Sequence, residues 1–416
     1  MAGPLSHARA WRPGVVQQVC PDGVLDLGPG YLAPGLLPAG LLAEAYHGAF
    51  AEFGAAALAY GDDRGAEPFR AAVADRVARA EGSACGPEHV FVTAGTSHAL
   101  YLLARTFAEP GDVVLVEQYG YDLGRRLLRD CGLRPFPVAM DAHGVDPGAF
   151  EEAVTTVRAQ GRRVAFACLV PTFHNPTGLV MPEARRRDLL AVARRLDVLL
   201  VEDDAYAELD LDGRTPPRSL AGLAEHQGVV RLRTFSKTLA PGLRLGYLLA
   251  DPSVVTRVAE QGVFVSGGSA NHTTSLAVAH ALRSGAYDRH LTWLRARLRT
   301  RRDALATALR SGLGCGLGPG MGAGMGSGVG STVDNDFACD PPEGGYFLWV
   351  RAFAHPESAL LAAAEAVGVR VAAGSRFGSG PHAAVRLAYS FTEPDKLTVA
   401  AGLLAEAWRS ASTTPA

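Results

Sequence analysis

From about residue 90 to 250, short apolar runs rich in β-branched residues alternate with helical stretches, the pattern of a parallel sheet covered by helices. The runs His89 to Thr93, Asp112 to Glu117, Val164 to Val170, Val198 to Glu202, Val229 to Thr234 and Leu245 to Ala250 predict strands. Between them, Ser97 to Phe107 and Pro182 to Arg195 carry apolar residues at three- and four-residue spacing and predict helices. The second has Pro182 and Glu183 in its first turn and arginines toward its end, as helix starts and dipoles favour.

A further segment lies near 252–270, and Ser275 to Arg310 then reads as one long helix or two. From 312 to 330 every second residue is glycine. Such a run has a high ordering entropy and little side chain to bury, so it predicts a flexible surface insertion; a period-two strand is the rival, weakened by its glycines. A second, smaller α+β unit follows, with strands at Tyr346 to Val350, Val369 to Ala372 and Val385 to Tyr389.

Composition narrows the classes. The 416 residues are 48% hydrophobic and 20% charged, which suffices for a sizeable core. A net charge of −2 argues against a nucleic-acid or anionic-membrane binder, and the Arg185-Arg186-Arg187 run falls on a helical pattern as a solvated face. The N-terminal stretch lacks a basic region followed by an apolar one, and no apolar run approaches the ~20 residues of a membrane span, so a cytoplasmic protein is expected. Cys20, Cys85, Cys131, Cys168, Cys315 and Cys339 are scattered without a C-x-x-C pair, which signals neither a disulfide framework nor a metal site.

The candidate chemistry collects where open α/β sheets bind ligands, beyond the carboxyl ends of the strands. Gly95-Thr96-Ser97, Glu117 to Tyr121, His174 to Gly178, Glu202 to Tyr206 and Thr234 to Lys237 all fall there. Backbone N–H groups at Gly95, Thr96 and Ser97, opening a helix, make an anion cradle that the hydroxyls of Thr234 and Ser236 and the guanidinium of Arg244 could complete for a phosphate. Taken alone, Gly-Thr-Ser is equally an N-cap. Of 40 basic residues only Lys237 and Lys396 are lysines. An amine forms a Schiff base with a carbonyl and a guanidinium does not, so Lys237, among small hydroxyl residues, points to covalent chemistry; Lys396, beside Asp395, is an ordinary surface lysine. Phosphate plus Schiff-base lysine suggests pyridoxal phosphate, whose ring nitrogen needs an acidic partner. Alternation along Glu202-Asp203-Asp204 lets one of the three meet the ring, and Asp203 is placed for it.

These residues carry a resemblance. Pro171-Thr-Phe-His-Asn-Pro-Thr-Gly178, Glu202-Asp-Asp-Ala-Tyr206 and Thr234-Phe-Ser-Lys-Thr-Leu-Ala-Pro-Gly-Leu-Arg-Leu-Gly246 resemble the class I/II aminotransferases of fold type I, in the group holding 2-aminoadipate aminotransferases and the catalytic halves of MocR-type regulators. The likeness runs from Leu27-Gly-Pro-Gly-Tyr31 and Tyr60-Gly-Asp-Asp-Arg-Gly65 to Arg386-Leu-Ala-Tyr-Ser390. It implies a large cofactor-binding domain over 46–270 with a mostly parallel seven-stranded sheet. A smaller α+β domain would comprise 271–416, with the interdomain helix and the 312–330 insertion, joined by the N-terminal segment 1–45. It further implies that Lys237 binds the cofactor covalently and moves the substrate proton, that Asp203 pairs with the ring nitrogen, and that Asn175 and Tyr206 hydrogen-bond the phenolic oxygen. Gly95, Thr96, Ser97, Thr234, Ser236 and Arg244 would hold the phosphate, Tyr121 would stack on the ring, and Tyr60 would reach the site of a second subunit in a homodimer. Arg386 would take the substrate α-carboxylate, with Tyr31 and Asn175 beside the substrate.

Two positions depart from the family pattern. Tyr119 replaces a turn proline, which puts the identity of the stacking ring in doubt, and His174 stands where relatives often have Gln. A lyase, cyclase, decarboxylase or oxidase on the same fold is the nearest rival to transamination. A MocR-type regulator would need a DNA-binding domain ahead of the likeness, and a dinucleotide enzyme would show G-x-G-x-x-G after the first strand. The side-chain pocket expected from Tyr31, Ser266 to His272 and Tyr346 holds no second cation, which favours an aromatic, neutral polar or basic substrate over a dicarboxylate.

Overall fold

The structure is a computed structural model that describes residues 21, 23–82, 84–315 and 336–411. Cys20 and residues 316–330 of the glycine run lie outside the described residues.

Seven strands form the large sheet: β1 (Val90–Thr93), β2 (Val113–Glu117), β3 (Arg134–Val138), β4 (Val164–Leu169), β5 (Leu200–Asp203), β6 (Val229–Thr234) and β7 (Gly246–Leu249). Their order is β1-β7-β6-β5-β4-β2-β3, and only β7 runs antiparallel to its neighbours. The two-residue period is visible in the packing. Val114, Val116 and Phe166 bury toward Leu102 and Leu103 of the Thr96–Phe107 helix, while Val113, Leu115 and Leu200 bury toward Phe150 and Leu189 of the helices Pro147–Ala159 and Glu183–Arg195. A slip of one residue would exchange those faces, so burial pins the register. Strand β3, Arg134-Pro-Phe-Pro-Val138, escapes the sequence pattern because two of its five residues are prolines. It pairs with β2 alone, at the sheet edge, where missing N–H donors leave no partner unsatisfied.

A smaller antiparallel sheet holds β8 (Phe337–Ala338), β9 (Phe347–Ala352), β10 (Ala372–Ala373) and β11 (Ala383–Ala388) in the order β8-β9-β11-β10. The strand expected over Val369 to Ala372 divides: Val369–Arg370 pairs in parallel with Leu25–Asp26, and Ala372–Ala373 joins β11. The stretch read as one helix or two is two, His272–Arg283 and Ala286–Leu313. Residues 312 and 313 belong to the second helix, which corrects the start of the expected insertion. A Cβ on Gly312 would sit 2.5 Å from the Ala405 Cβ, so glycine there lets the C-terminal helix Pro394–Ala411 approach closely. Among the described residues no helix is long and apolar enough to cross a membrane.

Candidate active site

Because β7 runs backwards, its first residue meets the last residues of its neighbours: Gly246 lies opposite Thr93 and Thr234. A Cβ on Gly246 would fall 2.5 Å from the Arg233 carbonyl oxygen and 2.8 Å from the Gly95 Cα, so only glycine lets the strand ends close up. Arg244, two residues earlier, adopts a left-handed conformation (φ 45°, ψ 46°), an uncommon one for a side-chain-bearing residue. There its Nη2 donates to the Ala94 carbonyl at 2.7 Å. The guanidinium therefore hangs over Gly95, which N-caps the Thr96–Phe107 helix without any side-chain cap. Thr234 Oγ1 donates to Ser236 Oγ at 3.0 Å and accepts from the Ser236 N–H at 3.1 Å. An uncapped helix N-terminus with a guanidinium beside it is what an anion requires, and the two hydroxyls stand at the end of the adjoining β6, across Gly246.

The three successive acids at the end of β5 meet three different fates. Glu202 accepts from the N–H groups of Leu220 and Ala221 at 3.0 and 3.1 Å and lies 3.6 Å from Arg186. Asp204 takes Arg231 at 2.5 and 2.7 Å. Asp203 has no arginine: its Oδ1 is buried with no hydrogen-bond partner among the described residues, and its carboxyl takes only a backbone hydrogen bond from Ala205. Burial, then the charges of Asp204 and Glu117, push its carboxyl up to about 7 against the pull of Lys237.

Lys237 is half-buried beside the rings of Tyr206 and Tyr346, its Nζ 5.6 and 5.7 Å from their centroids, and donates to the Gly30 carbonyl at 2.7 Å. Burial, reinforced by the charge of Arg386 and opposed by Asp203, brings its amine down to about 8. Near neutral pH it therefore holds an appreciable fraction of the neutral amine, the form that attacks a carbonyl. Arg386 stands on β11 with its guanidinium between two aromatic faces, 4.0 Å from the Phe347 centroid and 4.5 Å from that of Phe377. Its Nη1 donates to Asn175 Oδ1 at 3.0 Å, its Nη2 to the Gly28 carbonyl at 2.7 Å, and its buried Nε has no hydrogen-bond partner. Burial lowers this guanidinium to about 10. A planar cation held by stacking, with donor capacity in reserve, suits a carboxylate.

A family model described as aminotransferase class I and II matches residues 23–404. The chain belongs to that family. Its sequence is 32% identical over 282 residues to an uncharacterized HTH-type transcriptional regulator of Bacillus subtilis, covering 68% of this chain and 56% of the regulator. It is 35% identical over 244 residues to a 2-aminoadipate transaminase of Thermus thermophilus, covering 58% of this chain and 59% of that protein. The chain thus spans little more than half the length of these two relatives. Among solved structures, the kynurenine aminotransferase of Pyrococcus horikoshii, in complex with PMP, superposes with a TM-score of 0.80 at 26% identity, covering 93% of this chain and 91% of that one.

As in other class I and II aminotransferases, pyridoxal 5′-phosphate is the cofactor to test, and the residues fit it: an anion cradle, an amine lowered toward neutrality and a buried carboxyl oxygen awaiting a donor. Thr96, Ser97, Tyr121 and Asp203 line one cleft together with Glu117 and Cys168. Tyr119 is elsewhere: its ring packs 5.5 Å from that of Trp349, edge to face. Tyr31 packs on Phe391, and its neighbour Gly30 receives the Lys237 amine. Tyr60 is 89% exposed and touches none of these groups. Tyr346 donates its hydroxyl to the Lys237 carbonyl, beneath the amine. Asn271 caps the Arg244 carbonyl, which puts the 266–272 segment beside the cradle. The sequence reading missed the Gly28 and Gly30 carbonyls, which no side-chain pattern announces, and the Phe347 and Phe377 rings, whose stacking on Arg386 depends on tertiary contact.

Proposed function

We propose that this chain is a pyridoxal-phosphate-dependent aminotransferase, moving an α-amino group between an amino acid and a 2-oxo acid. The observation that carries the proposal is the Lys237 amine, within electrostatic reach of both Asp203, whose buried Oδ1 has no hydrogen-bond partner among the described residues, and a stacked guanidinium, Arg386. The cofactor supplies a carbonyl for the amine and a ring that withdraws electrons from the substrate Cα. Lys237 then serves as the group that takes and returns the substrate proton. Gly95, Thr96, Ser97, Thr234, Ser236 and Arg244 hold the phosphate, and Asp203 accepts from the ring nitrogen. Asn175 and Tyr206 address the phenolic oxygen, Tyr121 covers the ring, and Arg386 with Asn175 and Tyr31 receives the α-carboxylate.

Tyr60 is read as a contribution to a second subunit's site in a homodimer. Its exposure is shared by Leu58, Val263 and Val265, and Tyr60 Cε1 lies 3.9 Å from where a Gly267 side chain would begin. Exposed apolar residues grouped in this way mark protein contacts. For the substrate, the Phe347 and Phe377 rings against Arg386 favour an aromatic or neutral side chain over a second carboxylate.

The decisive assay is a single turnover of cofactor-loaded protein with an amino donor and no oxo acid. Stoichiometric pyridoxamine phosphate is expected. Ammonia or carbon dioxide in its place would overturn transamination in favour of a lyase or decarboxylase. A donor panel tests the substrate: rapid turnover of 2-aminoadipate or glutamate, with none of an aromatic donor, would reverse the preference.

A further inference from the structure

Next to Asn175 in the chain stands a buried histidine paired with Glu117, a contact given no role so far. Glu117 ends β2 and His174 precedes Asn175 in the turn after β4; their side chains are 3% and 1% exposed. His174 Nε2 comes within 3.1 Å of Glu117 Oε2, off the line of a well-formed hydrogen bond. That oxygen also accepts from the Val170 N–H at 2.9 Å, which ties the end of β2 to the segment leaving β4. On the other side of the ring, Nδ1 lies 2.7 Å from Thr177 Oγ1. The backbone closes around the same residue: the His174 N–H donates to Leu179 O at 2.9 Å and the Gly178 N–H donates to His174 O at 2.7 Å. The turn that carries Asn175 is therefore wrapped around one imidazole, and the imidazole is braced against the neighbouring strand.

Packing alone does not call for a carboxylate and an imidazole at this point. A buried polar pair stabilises no better than apolar residues of similar volume; what it adds is a fixed geometry. The geometry at stake is one residue away, where Asn175 Oδ1 meets Arg386 Nη1 at 3.0 Å. Asn175 is thus the bridge between the large sheet and the arginine of the small one.

We propose that Glu117 and His174 are positioning residues, holding the 174–178 turn so that Asn175 keeps Arg386 aligned for the substrate carboxylate. The proposal rests on the aminotransferase reading of Arg386. A ring protonated on Nε2 turns its N–H toward Glu117 and its lone pair toward the Thr177 hydroxyl. A glutamine amide meets both demands, N–H to Glu117 and oxygen to Thr177, and alanine meets neither.

The test compares holoenzyme variants by their affinity for a 2-methyl amino acid, which binds like a substrate but has no Cα hydrogen to lose, followed through the cofactor's visible spectrum. His174→Ala is expected to weaken binding about tenfold, with KM rising in parallel and kcat within about threefold, while His174→Gln recovers most of the loss. Thr177→Val, which removes only the hydroxyl beside Nδ1, is expected to weaken binding about threefold and carries the test if His174→Ala fails to fold. Binding by His174→Ala within about twofold of the parent, or His174→Gln no better than His174→Ala, would overturn the proposal; so would Thr177→Val indistinguishable from the parent. Failure of the aminotransferase reading would look different: the parent protein itself would show no cofactor band, or would release ammonia or carbon dioxide from an amino donor in place of forming pyridoxamine phosphate.

Discussion

Asp203 and Asp204 are adjacent, one half-buried and one buried, and opposite in electrostatic state. Arg231 and Arg233 overcome the cost of burial and keep Asp204 below its ordinary value, whereas burial and the charges around Asp203 raise it to about 7. The arginines show the same division. Burial opposes the charge of Arg231, but Asp204 and Glu81 carry it above its ordinary value; Arg386, with aromatic rings and neutral carbonyls around it, falls to about 10. One region is a network of ion pairs that ties β5 to β6, and the other is a cleft in which, among the described residues, no ion pair joins Asp203, Lys237 or Arg386. Buried charge by itself does not mark a site; charge withdrawn from water without an ion-pair partner does.

Substitutions on the two sides of this divide should behave differently. The largest effect is expected at Lys237: Lys237→Ala should lower kcat by roughly 10³-fold or more while the apoprotein melts within a few degrees of the parent, measured by turnover and thermal unfolding. Asp204→Ala should do the reverse, costing about 1–3 kcal/mol of stability by leaving Arg231 with Glu81 alone and Arg233 with Glu208 alone, as urea unfolding would read. Arg386→Ala should lower kcat/KM about 10²-fold, and Arg386→Lys should recover little of it, because an ammonium lacks the planar fork.

The smallest effect is the most diagnostic. A carboxyl raised to about 7 in the folded chain, from an ordinary 3.8, accumulates a stability penalty as pH rises from about 4 to 7 and bears all of it above 7. Asp203→Asn apoprotein should therefore be more stable than the parent by about 1–3 kcal/mol at pH 8, with the advantage fading toward pH 4. A destabilised Asp203→Asn apoprotein at pH 8 would erase the distinction between the two aspartates.

Much of this was legible in the sequence, for reasons that differ from place to place. Six of the seven strands announced themselves through apolar runs; β3 did not, because an edge strand can carry Pro135 and Pro137 that no pattern of alternation would predict. The five polar clusters share one edge of the sheet because each follows a strand, and the reversed β7 adds Arg244 to them. The singular position of Asp203 within Glu202-Asp203-Asp204 was also accessible from alternation alone. Contacts between distant segments were not. Gly30 lies 207 residues from Lys237, and Gly28 lies 358 from Arg386; both act through backbone carbonyls that carry no residue signature. His174 stood out as a departure, but its engagement with Glu117 depends on how β2 and β4 sit side by side.

With only Lys237 and Lys396 in the chain, the covalent attachment point can be read without ambiguity. Borohydride reduction of the protein loaded with pyridoxal phosphate, followed by peptide mass mapping, should place one phosphopyridoxyl group on Lys237 and none on Lys396. An adduct on Lys396, or no adduct on either, would contradict the assignment on which the rest depends.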